Sequence, residues 1–103
     1  MNEYKIIITQ RAFSDITECV LFVNNVSNEP AKELYSEIIS SINSLKTLSN
    51  AYPNIEGLVI GVTNIKRMPI HHGRYFILYK VMGDLVTIYD VIDSRKDNSI
   101  LKI

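Results

Sequence analysis

The chain has 103 residues, 47% hydrophobic and 21% charged, with 11 basic and 11 acidic residues and a net charge of +0. That length fits one domain with a real core, and the neutral balance excludes a chain drawn to nucleic acid by global charge. The one cysteine, Cys19, excludes an internal disulfide, and a reducing setting is the simplest reading. No signal-peptide pattern opens the chain and no apolar run is long enough for a bilayer, so the expected location is the cytoplasm, with no membrane partner.

Tyr4 to Ile8 is a β-branched run and reads as a first strand. Thr9 is placed to cap a helix. From Gln10 to Val26 the positions Ala12, Ile16, Cys19, Val20, Val23 and Val26 keep helical spacing, widened by Phe13 and Phe22. Cys19 on that stripe is expected to be a buried structural thiol. The polar run Ser27-Asn28-Glu29 ends the helix. Pro30 suits the first turn of a second one. There Ala31, Leu34, Tyr35, Ile38, Ile42, Leu45 and Leu48 form a continuous stripe. Asn50 and Tyr52-Pro53 stop it. Two amphipathic helices with a short link are expected to form an antiparallel hairpin.

Leu58-Val59-Ile60 is strand-like but closely flanked by Gly57 and Gly61, and reads as an edge strand or a loop. Lys66 to Arg95 reads as three strands joined by two tight turns. Gly83-Asp84 suits a two-residue turn with positive φ, and His72-Gly73 can play the same part. These turns would pair Met68 with Ile77, Ile70 with Tyr75, Arg67 with Leu78, Tyr79 with Ile88, Leu78 with Tyr89 and Arg74 with Asp93. Alternation then puts Met68, Ile70, Tyr75, Ile77, Tyr79, Val81, Val86, Ile88 and Ile92 on a core face, with Asp90 as a misfit. Arg67, His71, Arg74, Phe76, Leu78, Lys80, Thr87, Tyr89, Val91, Asp93 and Arg95 fall on the other face. The tail from Lys96 to Ile103 frays or pairs along the sheet. The whole is one α+β domain over 1–103 of order βααβββ, with a helical hairpin packed on one face of a mainly antiparallel twisted sheet.

Arg67, Arg74 and Arg95 on one face would hold phosphate or carboxylate groups. Tyr89 could stack on a base. Phosphodiester cleavage would use His71 as proton carrier, with Arg67 and Arg95 stabilising charge. Phe76, Leu78 and Val91 would leave apolar area for another chain to cover. His71 and His72 point to opposite sides of a strand and no third ligand follows by spacing, so no metal site is expected. No phosphate-cradling glycine loop and no nucleophile elbow is present, and no cofactor is implied.

The stretches YKIIITQRAFSDI, SINSLKTLSNAYP, IKRMPIHHGRYFILYKV and VTIYDVIDSRKD, in this order, resemble the RelE/ParE superfamily of toxins from type II toxin–antitoxin pairs. Arg67, Tyr75, Tyr79, Arg95 and Asp97 fall where that superfamily often has such residues. The resemblance implies a small toxin neutralised by a cognate antitoxin in a hetero-oligomer. RelE-like members cut mRNA on the ribosome, and ParE-like members poison DNA gyrase. The R-M-P-I…R-Y-F-I-L-Y segment looks closer to the ParE-like, plasmid-stabilisation branch. The resemblance therefore implies growth inhibition by binding a target such as gyrase. The alternatives are a ribosome-dependent mRNA endoribonuclease and a non-toxic antitoxin-binding module.

Overall fold

A computed structural model describes residues 3–24, 28–54, 58–60, 64–95 and 100–102. The first strand, β1 (Lys5–Ile8), runs straight into α1 (Gln10–Asn24). Thr9 makes that junction. Its Oγ1 accepts the Ala12 N–H at 3.1 Å and donates to the Tyr89 carbonyl at 3.3 Å. One side chain thus caps the helix and ties it to the sheet. The second helix, α2 (Asn28–Leu48), starts two residues before Pro30, which sits in its first turn. Ala12, Ile16, Ala31, Leu34, Ile38, Ile42 and Leu45 are all buried, as the helical spacing predicts. Val26 and the side chains of Phe22 and Val23 lie outside the described residues.

The remaining strands are β2 (Leu58–Ile60), β3 (Lys66–Ile70), β4 (Tyr75–Met82), β5 (Leu85–Asp93) and β6 (Ile100–Lys102). The main sheet has the order β1-β5-β4-β3, and β1 is parallel to β5 while the other pairs are antiparallel. The helices pack on one face of it, so the α+β expectation is borne out. Leu58–Ile60 is neither an edge strand of this sheet nor a loop. It pairs in parallel with Ile100–Lys102 in a separate two-stranded sheet.

The expected two-residue turn at Gly83-Asp84 forms, whereas the one expected at His72-Gly73 is a four-residue turn over 71–74. Gly83, at φ 61°, is the one residue of its turn with positive φ, as a type II′ hairpin requires. At the other end Arg74 N–H donates to His71 O at 3.1 Å across His72-Gly73. The expected register of β3 on β4 is observed, with Met68↔Ile77, Ile70↔Tyr75 and Arg67↔Leu78.

The register of β5 is where the sequence reading fails. Tyr79 pairs with Ile88 as expected, but Leu78 pairs with Asp90, leaving Tyr89 as an extra residue. A bulge of this kind exchanges the two faces of everything beyond it. Val91, not Ile92, therefore enters the core cluster. Asp93 lies opposite Tyr75 rather than Arg74. The Asp90 misfit disappears, because its carboxylate leaves the core face and meets Arg11 on α1.

The centre of the core is Tyr79, fully buried among aliphatic side chains. Its hydroxyl donates to the Ser49 carbonyl at 2.7 Å, fastening β4 to the end of α2. Burial drives its pKa well above the usual phenol range. Replacing Tyr79 by Phe is expected to lower unfolding free energy by about 1–3 kcal/mol, since the Ser49 carbonyl loses its partner in a dry site. Urea denaturation measures this. Gly83→Ala is expected to cost about 1–2 kcal/mol from the backbone alone, because an added Cβ there meets nothing within 4 Å.

Candidate functional site

Because β1 ends at Ile8, it covers β5 only as far as Ile88. Beyond that point α1 runs beside β5, and a cleft of about 500 Å³ opens between them. Helical spacing brings Arg11, Asp15, Glu18 and Cys19 to its α1 wall. Tyr75, Asp90, Val91, Asp93 and Arg95 line the sheet side. Asp90 is 3% exposed. Its Oδ2 lies 3.3 Å from Arg11 Nε, and its Oδ1 accepts the Val91 N–H at 3.0 Å. A buried carboxylate needs such partners to remain charged. Four carboxylates face two guanidiniums across this cleft, so its balance is acidic.

Arg95 closes one end. It holds Asp93 through three bonds: Nε to Oδ1 at 3.0 Å, Nη2 to Oδ2 at 2.7 Å and its own N–H to Oδ1 at 2.9 Å. The hydrogen bonds to Asp93 push the Arg95 pKa up. Beside them the Tyr75 phenol is also pushed up, first by burial and then by the neighbouring Cys19 and Asp93. Cys19 is only half-buried and stands on the cleft wall, rather than fully inside the core as its stripe position predicts.

The arginines do not share a face. Arg67 projects from the side of the sheet away from the helices, its guanidinium 4.5 Å from the centre of the Phe76 ring. Arg95 lies on the helix side with α1 residues. Arg74 is exposed in the turn between β3 and β4. It acts electrostatically on Tyr75, as Arg95 does. The expected Arg74–Asp93 pair is replaced by Arg95–Asp93. The set His71, Arg67 and Arg95 does not converge. His71 Nδ1 is 3.0 Å from Glu37 Oε1 on α2. Of the three residues expected to form an apolar docking face, Val91 alone leaves it, and none is open to solvent. Leu78 is 0% exposed, Val91 is 4% exposed, and Phe76 is half-buried under Arg67. Tyr89, the bulge residue, is half-buried. Asp97 lies outside the described residues. Among the described residues no group of three metal-ligating side chains occurs.

The apolar area open to solvent is elsewhere. Phe13 and Leu21 on α1 and Tyr35 and Ile39 on α2 are 61%, 56%, 51% and 39% exposed. They border an apolar groove of about 170 Å³ between the helices, floored by Ile8, Ile16 and Val20. The signal was present in the sequence. Phe13 and Tyr35 widen each helical stripe beyond what one sheet face can cover.

Two of these contacts predict different outcomes. Arg11→Met is expected to destabilise by about 1–3 kcal/mol, because Asp90 stays buried and loses its cation. Arg67→Ala is expected to cost less than about 1 kcal/mol, since its ring contact is exposed. Equilibrium denaturation at neutral pH separates the two.

The chain matches no protein-family model, and no curated protein matches it. Among solved structures it is similar to a chain of the chromosomal ParDE TA system from P. aeruginosa, with a TM-score of 0.69 and 15% identity. The likeness covers 88% of this chain and 96% of that one. What the two share is the fold: a helical hairpin on one face of a mixed four-stranded sheet.

Proposed function

We propose that this chain is the toxin of a type II toxin–antitoxin pair, of the ParE-like kind, covered by its antitoxin and acting by binding a target such as DNA gyrase. The observation that carries this reading is the apolar groove between α1 and α2, on a fold like that of the ParDE chain. Four large apolar side chains at that rim are more than scattered surface residues, and such a patch with a polar surround marks a surface meant for another chain. An amphipathic helix is the element that fits a groove between two helices. The arginines support binding over phosphodiester cleavage. Arg67 and Arg95 stand on opposite sides of the sheet, and a cleaving site would need them on one phosphate.

Expression in a bacterial host without a partner is expected to arrest growth, and the purified protein is expected to inhibit supercoiling by gyrase. Normal growth would instead make the chain a non-toxic binding module. mRNA cuts in a translating extract would restore the ribonuclease alternative. Co-expression with a cognate antitoxin is expected to relieve the arrest. Phe13→Ser combined with Ile39→Ser is expected to abolish that relief while growth arrest persists, because both side chains are exposed and add little to folding. Relief that survives the double substitution would move the partner away from this groove.

A further inference from the structure

The turn between β3 and β4 carries an unusual backbone. His71, His72 and Gly73 follow one another at φ 53°, 57° and 80°. Two of the three have a Cβ, and a left-handed conformation opposes each. Such a segment persists only where its surroundings hold it.

Two side chains hold this one from opposite directions. Glu37 on α2 accepts the His71 N–H at 2.5 Å through Oε2, and its Oε1 lies 3.0 Å from His71 Nδ1. Ser94, just past β5, donates its hydroxyl to the Gly73 carbonyl at 2.6 Å and to the Arg74 carbonyl at 2.9 Å, and its N–H also bonds the Arg74 carbonyl. The turn is therefore bridged to α2 at its start and to the corner carrying Arg95 at its end. Glu37 touches its first left-handed residue. We infer that Glu37 is a latch: its carboxylate holds His71, His72 and Gly73 in the left-handed state, and loss of that carboxylate lets the turn and the Arg74–Ser94–Arg95 corner change shape together.

The electrostatics agree in sign. The hydrogen bond to His71 holds the Glu37 pKa below its ordinary 4.5, and His72 adds a weaker pull in the same direction. A carboxylate with a lowered folded pKa stabilises above its unfolded value and loses that contribution as pH falls through the folded one. The latch is therefore closed at neutral pH and opens below 4.5. His71 and His72 are the titratable side chains that bear on Glu37. Behind them Tyr75 lies with its ring 6.1 Å from that of His71, and it is acted on in turn by Arg74, Arg95, Asp93 and Cys19. Tyr75 and Arg95 also line the acidic cleft, so an open latch changes the mouth of that cleft. The inference stands whether or not the chain is a toxin.

Amide exchange followed by NMR on the full chain tests it. Glu37→Ala at neutral pH is expected to speed exchange at Gly73 and Arg74, whose N–H groups close the turn, by about tenfold or more, with Ile77 and Ile88 unchanged. In a pH titration of the unaltered protein, the Gly73 and Arg74 amide shifts are expected to follow the Glu37 carboxyl signal to a midpoint below 4.5. In Glu37→Gln that transition is expected to vanish. His71→Asn brings a short polar side chain that bonds locally in the left-handed region, and is expected to restore part of the protection lost in Glu37→Ala. Unchanged exchange at Gly73 and Arg74 in Glu37→Ala would overturn the latch. So would a loss of protection spread evenly over the sheet, or the absence of any turn-shift transition that follows the Glu37 carboxyl signal.

Discussion

One extra residue in β5 decides which side chains can act together. Up to Ile88 the strand alternates as its sequence reads. At Tyr89 the ladder gains a residue on one side only, and Leu78 meets Asp90. Every later side chain then changes face. Val91 enters the core, Asp93 comes round to Tyr75, and Arg95 follows it to the helix side. The bulge falls where β1 ends and α1 begins, and the Thr9 hydroxyl bonds the Tyr89 carbonyl there. The cleft between α1 and β5 exists because β1 turns away at the place where β5 changes its alternation.

The same step makes a buried acid tolerable. On the core face Asp90 would have faced aliphatic side chains alone, at a desolvation cost no single hydrogen bond offsets. Turned towards α1 it reaches Arg11, and it also receives a backbone N–H. Arg11 is itself held one residue into the helix that Thr9 caps. The helix cap, the bulge and the buried pair thus support one another, and changing any of them alters the geometry of the cleft wall.

What the sequence made legible was whatever depends on neighbours along the chain. Helical spacing placed Ala12, Ile16, Leu34, Ile38, Ile42 and Leu45 inside, and Gly83 placed the second hairpin. The register of β3 on β4 followed from the glycine in the turn. The bulge left no such signature. Tyr89 and Asp90 carry no glycine or proline, and the one local hint was Asp90 itself, a carboxylate falling on the expected core face. Because a shift by one residue exchanges faces, that single unread feature parted Arg95 from Arg67 and turned Val91 into the core. The parallel pairing of Leu58–Ile60 with Ile100–Lys102 was equally hidden, since it joins segments 42 positions apart.

The consequence for function is a division of labour between surfaces. Had three guanidiniums shared one face, that face would have attracted phosphate whatever else the protein did. Here the guanidinium of Arg95 is already engaged with Asp93, and that of Arg67 rests on Phe76. The cleft that receives Arg95 carries more carboxylates than guanidiniums. Electrostatics therefore gives no strong pull towards a polyanion at this site. The unspent free energy of association lies in the apolar groove on the helices, where exposed Phe13, Leu21, Tyr35 and Ile39 gain by being removed from water. A surface of that kind selects by shape and apolar fit rather than by charge.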